Sequence, residues 1–218
     1  MNILLISSSP RKEKSQTYLL AKEVLRGLSD KDVKSEVVHL CDFNIGFCRH
    51  LERCHEKIMD CPIRDDAGKI LKKMLEADGI ILASPNYINQ VTASMKALFD
   101  RSSHFIHCKR LLDKYVAAVV SSGSGYDKDV LDYLKHYANA CGAQYSGGVS
   151  ARSPAGKAER EKAFELGKRL ASDIEMKKVY PDQAEAIEES RRNFARVMEM
   201  RKKDWPQEYK YWLDKGWL

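Results

Sequence analysis

Residues 2–17, NILLISSSPRKEKSQT, join a short apolar run to a polar loop and a helix start. The run at residues 3–6 is continuously apolar, which is typical of a strand buried on both faces of a parallel sheet. Hydroxyl groups and Arg11 follow, and Ser15 stands at an N-cap position before an amphipathic segment ending near Leu28. The stretch therefore predicts the first strand, loop and helix of an α/β fold.

The polar loop of residues 7–17 is suited to binding a phosphate monoester. A helix N-terminus offers free backbone N–H groups and partial positive charge, and Arg11 can add a bidentate contact. The loop has no glycine, so it is neither a nucleoside-triphosphate loop nor a dinucleotide fingerprint. The alternative is a Ser15 helix cap whose neighbours bind nothing. The position of the loop, directly after the first strand, favours the phosphate site.

The chain then alternates between buried strands and amphipathic helices. Strands are predicted at residues 2–7, 33–40, 79–83, 115–121 and 144–149, with helices beginning near residues 15, 65, 91 and 130 and a long irregular excursion at residues 41–62. Five strands joined in this way predict a flavodoxin-like, doubly wound parallel sheet of order 2-1-3-4-5.

The pattern changes after Pro154, where two helices are predicted at residues 155–178 and 183–203. All three tryptophans lie in the final segment, residues 204–218. Residues 1–154 are therefore predicted to form the sheet domain, and residues 155–218 a helical C-terminal extension. So many aromatic side chains need a surface to cover. We expect this to be the domain itself or a neighbouring subunit, and the subunit is narrowly favoured, as in a homodimer or homotetramer.

Composition excludes several classes of protein. The 218 residues carry a net charge of +6, but basic and acidic residues are interspersed, so no nucleic-acid partner is expected. No apolar run approaches the roughly 18 residues of a membrane span, so no membrane partner is expected. Met1 leads directly into the first strand without a secretory signal, which predicts a cytoplasmic location. Six cysteines there indicate thiols, ligands or redox groups rather than disulfides.

Two further loops follow strands and should share an edge of the sheet with residues 7–17. Residues 84–90 offer two asparagines and Tyr87, which suit the polar edge and the face of a heterocycle. Gly123 and Gly125 allow a flat ligand to approach the backbone closely. A dinucleotide fingerprint would need a third glycine where Lys128 stands. Taken alone, the glycine loop is better explained as a turn, and residues 84–90 could also be a turn followed by a helix start.

Three segments in this order resemble the NADPH-dependent FMN reductase and iron–sulfur flavoprotein family. They are SSPR at residues 8–11 with SQT at 15–17, ASPNY at 83–87, and MKALFDR at 95–101. The resemblance covers about residues 1–150. It implies that the FMN phosphate is held by Ser9, Arg11, Ser15, Gln16 and Thr17. It further implies that the isoalloxazine is lined by Pro85, Asn86, Tyr87, Ile88 and Asn89 on one side and by Ser121, Gly123, Ser124 and Gly125 on the other.

This resemblance implies an FMN-dependent oxidoreductase that takes hydride from NADPH or NADH. The acceptor would be a flavin, a quinone, a metal complex or a protein. The cofactor carries the redox chemistry, so no catalytic acid or base is assigned. The alternative is a non-enzymatic electron carrier, either flavodoxin-like or bearing an iron–sulfur cluster. Flavodoxins tend to be acidic, and the net positive charge of this chain counts against that alternative.

The cysteine segment departs from the family it resembles. Iron–sulfur flavoproteins carry a compact cysteine set separated by about two residues, then a fourth further on. Here Cys41, Cys48, Cys54 and Cys61 are separated by six, five and six residues. An iron–sulfur cluster or zinc could use His50 or His55 in place of a cysteine ligand. The spacing favours free thiols instead, and no metal ligand is assigned. A second polar group, His104, His107 and Cys108, is expected to be a solvated helix end.

Overall fold

The computed structural model describes residues 1–28, 32–123 and 125–218 of the chain. A five-stranded parallel sheet with the order β2-β1-β3-β4-β5 forms its centre, and the predicted flavodoxin-like fold class is confirmed. The strands are β1 (Asn2–Ser7), β2 (Lys34–His39), β3 (Gly79–Pro85), β4 (Tyr115–Ser122) and β5 (Gln144–Arg152). Because all five run in the same direction, their carboxyl ends meet at one edge.

Helices cover both faces of the sheet. In chain order they are α1 (Gln16–Gly27), α2 (Arg53–Glu56), α3 (Ala67–Glu76), α4 (Ala93–Asp100), α5 (Ser103–His107), α6 (Lys128–Ala140), α7 (Lys157–Glu175), α8 (Pro181–Arg201) and α9 (Pro206–Asp214). The first core lies beneath α1 and α7, and the second beneath α3, α4 and α6. In the described part of the chain, no helix combines the length and apolarity needed to cross a membrane.

The apolar run of β1 shows why a continuous pattern indicates a central strand. Successive strand side chains point to opposite faces. Ile3 and Leu5 pack beneath α1 and α7, whereas Leu4 and Ile6 pack beneath the helices on the other face. Both faces are covered, so neither set can be polar, and the alternation typical of a half-exposed strand is absent.

Several element boundaries differ from the prediction, and two of them have a clear local cause. The helix predicted over residues 91–103 divides into α4 and α5, because the hydroxyl of Ser102 donates a hydrogen bond to Phe99 O at 2.7 Å and draws the chain into a turn. The fifth strand extends to Arg152, past the predicted end at Val149. Its carboxyl half pairs with β4 up to Ser122, which supplies the extra ladder hydrogen bonds.

The aromatic C-terminal segment packs on its own chain. Trp205 and Trp212 join Cys108 and Met198 in a third buried cluster. The indole of Trp212 donates to the carbonyl of His107 at 3.1 Å. The segment thus covers α2 and α5 rather than the sheet, and the preference for a neighbouring subunit was wrong for these tryptophans.

The polar group that follows α4 is also buried, contrary to the expectation of a solvated helix end. His104 and Cys108 are both shielded from solvent, and His107 is half-buried. Burial lowers the pKa of His104 to about 3, so its ring is neutral at physiological pH. The aromatic segment that covers His107 and Cys108 lies about one hundred positions further along the chain, and the local sequence carries no sign of it.

Candidate functional site

The three polar loops predicted to share one edge are joined there by hydrogen bonds. They follow β1, β3 and β4, which are neighbours in the sheet. Thr17 Oγ1 lies 2.5 Å from Ser121 Oγ, which connects the first loop to the third. The backbone N–H of Asn86 donates to Ser121 O at 2.8 Å, which connects the second loop to the third. The candidate residues therefore form one continuous surface at the carboxyl edge.

The first loop leads directly into the N-terminus of α1. Ser15 is the N-cap, and its hydroxyl accepts a hydrogen bond from Tyr18 N at 3.3 Å. Ser9 is buried and accepts from Arg11 N at 3.4 Å, while the Arg11 side chain is exposed. The helix cap weighed from sequence is thus present. It leaves the guanidinium and other first-turn N–H groups available to an anion, so the presence of the cap does not exclude a phosphate site.

The second loop is a tight hairpin whose tip projects into solvent. Tyr87 N and Gln90 N each donate to the carbonyl of the other residue, at 2.9 and 3.1 Å. The two residues between them, Ile88 and Asn89, have φ values of 53° and 57°. A β-branched residue rarely adopts this left-handed conformation, and Ile88 is also 99% exposed. Strain of this kind is often retained at binding sites.

The third loop contacts Asn86 of the second loop. The Nδ2 atom of Asn86 donates to Tyr126 O at 2.9 Å and lies 3.3 Å from Asp127 Oδ1. Its Oδ1 is buried and has no hydrogen-bond partner among the described residues. A buried acceptor without a partner is costly, which points to a donor supplied by a ligand. Sequence reasoning identified Asn86 but missed Tyr126 and Asp127, which carry no motif.

Two glycines of this loop were predicted to admit a flat ligand. Gly125 has φ +86°, a conformation that glycine adopts without strain, and its N–H donates to Ser122 Oγ at 2.9 Å. A side chain added at Gly123 would meet open space. Ser124, also predicted to line the ring, lies outside the described residues. The space beside Gly123 is therefore open, whereas the Arg152 guanidinium lies directly against Gly125.

The cysteine segment is held to the domain by a buried arginine. Arg101 donates to Gly46 O at 3.0 Å and to Cys61 Sγ at 3.3 Å, and it forms an ion pair with Asp65. Both charged side chains are only 3% exposed. Burial opposes ionisation of Asp65, but hydrogen bonds from Arg101 and from the N–H of Gly46 hold its pKa below the ordinary value. Arg101, the last residue of the MKALFDR segment, therefore orders the cysteine segment.

The four cysteines of the segment do not share one site. Cys48, Cys54 and Cys61 line a pocket of about 660 Å³ that lies between the segment and the C-terminal helices. Cys41 lies elsewhere, with its sulfur 3.9 Å from Ser9 O beside the first loop. The described residues contain no group of three cysteine sulfurs close enough to hold one ion.

The fold and the three joined loops define the class of the protein: a flavodoxin-like domain with three connected polar loops at the carboxyl edge of the sheet. Residues 1–156 match the sequence profile of the NADPH-dependent FMN reductase family. The chain belongs to that family.

Two curated relatives are similar in sequence to this chain, and both are named iron-sulfur flavoproteins. An iron-sulfur flavoprotein of Methanocaldococcus jannaschii is 44% identical over 102 residues, which are 47% of this chain and 52% of the relative. This chain therefore spans about half the length of that relative. An iron-sulfur flavoprotein of Archaeoglobus fulgidus is 29% identical over 224 residues, and the match covers 98% of each chain. The second match extends through the C-terminal extension.

A solved structure supports the fold alone. The crystal structure of RosB with a bound intermediate, 8-demethyl-8-formylriboflavin-5'-phosphate, superposes with a TM-score of 0.68. Sequence identity is 15%, and the match covers 88% of this chain and 87% of the other. The likeness includes the order of the sheet and much of the helical extension.

The relatives are named for an iron–sulfur cluster, but the thiols of this chain do not fit one. Two residues separate Leu51 from Cys48 and two separate it from Cys54, so Leu51 stands where the compact family spacing would place a thiol, and it lines the same pocket. The side chain of Cys61 accepts a hydrogen bond from Arg101, and Cys41 lies beside the first loop. We therefore assign no electron-transfer step to an iron–sulfur cluster.

Proposed function

We propose that this protein binds FMN at the three joined loops and catalyses hydride transfer from NADPH or NADH to the flavin, which then reduces an acceptor. The observation that carries the proposal is the surface itself. Its three loops are connected through Ser121, with a helix N-terminus at one end and, at the other, Asn86 Oδ1, which has no partner among the described residues. The two ends suit an anionic group and a heterocycle with an N–H donor, respectively.

The first loop would hold the phosphate of FMN. Hydroxyls, an amide and backbone N–H groups surround the start of α1, and they belong to Ser9, Ser15, Gln16 and Thr17. Arg11 is exposed above them and can pair with two phosphate oxygens. These groups bind and orient the cofactor and take no part in electron transfer.

The second and third loops would hold the isoalloxazine ring. Asn86 Oδ1 would accept a hydrogen bond from a ring N–H, while its Nδ2 stays bound to Tyr126 O and orients the amide. Tyr87 and Ile88 would shield one edge of the ring from water, and Gly123 and Gly125 would admit it from the other side. When bound, FMN supplies hydride and electron transfer. The chain supplies position and hydrogen bonding.

The proposal also includes the kind of electron acceptor and the oligomeric state. A flavin, a quinone, a metal complex or a protein surface could approach the exposed hairpin tip. The projecting side chain of Ile88 supports a homodimer or homotetramer in which a second copy covers the tip. The rival function is an electron carrier that exchanges electrons with protein partners and does not react with nicotinamide nucleotides.

We expect the purified protein to show flavin bands that bleach on anaerobic addition of NADPH or NADH. The measurement is a visible spectrum before and after each addition, with dithionite as the control for complete reduction. Bands that dithionite bleaches but neither nucleotide affects would support the carrier instead. A colourless protein that FMN cannot reconstitute would contradict both functions.

We expect Arg11→Ala to weaken FMN binding by roughly 10- to 100-fold, because it removes a charge-assisted contact to phosphate. The dissociation constant would be measured by fluorescence titration of apoprotein with FMN. Lys22→Ala is the matched control, since it removes an exposed charge from the same helix away from its N-terminus. Equal affinity of Arg11→Ala and the wild type would show that the phosphate lies elsewhere.

A further inference from the structure

A cluster of three metal-ligating side chains lies apart from the proposed FMN surface. His55 comes from α2, His107 from the end of α5, and Glu208 from α9. The Nδ1 atom of His55 lies 2.7 Å from Glu208 Oε1, and the Nδ1 atom of His107 lies 3.0 Å from Glu208 Oε2. Three distant parts of the chain thus bring two imidazoles and one carboxylate to a single point.

The cluster is enclosed by aromatic side chains. The carboxylate of Glu208 is 0% exposed, and His55 is buried. The two imidazole rings stack with centroids 4.5 Å apart, and Trp205 lies within 5.0 Å of each ring centroid. An apolar shell strengthens electrostatic interactions inside it and keeps competing water away.

The cluster has both an access route and an orienting contact. His55 and His107 line the pocket of about 660 Å³, so an ion can reach them from solvent and keep water in its remaining positions. Ser103 Oγ lies 3.4 Å from His55 Nε2, on the far side of the ring from Glu208. Such a contact fixes the orientation of a ligating imidazole.

We propose that His55, His107 and Glu208 form a binding site for a divalent first-row transition ion. Two imidazoles and a carboxylate are ligands that zinc, ferrous iron and cobalt share, whereas magnesium and calcium prefer oxygen ligands alone. The candidate ligand atoms all lie within 4.8 Å of one another. No thiol belongs to the set, which separates this site from any use of the neighbouring cysteines.

Binding requires only a small rearrangement. In the ion-free arrangement the imidazoles hydrogen-bond the carboxylate, so that the buried charge is satisfied. Ligand atoms about 2.1 Å from a tetrahedral ion lie roughly 3.4 Å apart, which is wider than the two nitrogen–oxygen distances here and within the 4.8 Å span of the whole set. The ion would therefore replace the two hydrogen bonds as the carboxylate moves slightly away from the imidazoles, and ligating nitrogens that carry protons would release them to solvent.

The site would connect the C-terminal helices to the cysteine segment. Glu208 is separated in sequence by 153 residues from His55 and by 101 from His107. An ion bound to all three adds a link that the unfolded chain lacks, so it should reduce opening of α9 over α2 and α5. This consequence does not depend on FMN binding, so it can be tested whether or not the proposed function holds.

The test is equilibrium dialysis of the full chain against Zn²⁺, with bound metal measured by mass spectrometry. We expect one ion per chain, and we expect Glu208→Gln and His107→Gln each to weaken binding by at least ~100-fold. His50→Gln is the matched control, because it removes an exposed histidine from the same segment. A variant with Cys48, Cys54 and Cys61 all changed to serine should also retain the ion.

Two further measurements cover the case in which a variant fails to fold. Co²⁺ added to the wild-type protein should give ligand-field bands without the intense near-ultraviolet band of a thiolate–cobalt bond. Hydrogen exchange should slow in residues 206–214 when Zn²⁺ is added. Absence of zinc binding, wild-type affinity in folded Glu208→Gln, or a thiolate band that disappears with the three cysteines would each overturn the assignment.

Discussion

Asp65→Asn should lower the free energy of unfolding by about 3–5 kcal/mol, the largest effect that we expect from a single charge. The substitution leaves Arg101 buried without its anionic partner, and the two side chains are each only 3% exposed. It also weakens the acceptor of the Gly46 N–H, which Asp65 Oδ2 binds at 2.8 Å. Urea denaturation monitored by circular dichroism measures the change. A loss below 1 kcal/mol would mean that Arg101 finds another partner or solvent.

Asp100→Asn is the control for this prediction. Asp100 pairs with Lys96 on the surface of α4, where both side chains are about half exposed, so the loss should stay within about 0.5 kcal/mol. The two variants remove the same charge at sites that are 35 residues apart in sequence. The difference between them therefore isolates the effect of burial.

Low pH should remove the difference between wild type and Asp65→Asn. The folded pKa of Asp65 lies below its ordinary value of 3.8, so the stabilising contribution is complete above that value. It is lost as the pH falls through the folded pKa, because the carboxyl group then becomes neutral in both states. Urea midpoints of the two proteins should converge under acid conditions, and a constant difference down to the lowest pH would contradict the assignment.

Gly27→Ala should destabilise the domain by about 3 kcal/mol and lower Tm by roughly 6–12 °C. A Cβ at this position would overlap the carbonyl oxygen of Phe164, a backbone atom of α7 that cannot turn aside. Gly167 makes the reciprocal approach to the carbonyl of Val24, so α1 and α7 are in contact through their backbones. The substitution forces the helices apart and opens the core beneath them. Thermal unfolding monitored by circular dichroism measures the shift.

Gly68→Ala is the matched control, because it makes the same change in a helix that leaves room for it. No atom lies within 4 Å of a Cβ added at Gly68 in α3. Alanine loses less backbone entropy on folding than glycine, so this variant should gain about 0.5 kcal/mol. A similar loss in both variants would show that the contact between α1 and α7 does not cause the destabilisation at Gly27.

Much of the sheet could be predicted because its signals are local. The run at residues 3–6 is apolar throughout since both faces of β1 are covered, and Ser15 was recognised as a helix cap from its own chemistry. The carboxyl-edge rule then placed the three polar loops together. That rule predicts proximity but no contacts. The hydrogen bonds of Thr17 to Ser121 and of Asn86 to Tyr126 appear only in the folded chain.

The C-terminal half of the molecule was less predictable. Helix α9 was not expected, and the polar residues that follow α4 were expected in solvent. His107 and Cys108 pack against Trp205 and Trp212, which lie about one hundred residues away. Long-range packing of this kind follows no period in the sequence. His55 and Glu208 likewise belong to no motif, so their meeting could not be inferred from spacing.

The sequence by itself determined the fold class, the order of the strands and the edge at which a ligand would bind. These follow from the alternation of apolar and polar residues, since burial is enforced along each element separately. The tertiary structure alone decided which polar groups meet: Asn86 with Asp127, Arg101 with Asp65, and Glu208 with two histidines. Such contacts depend on angles and distances between elements that are far apart in the chain, and these arise only when the elements pack.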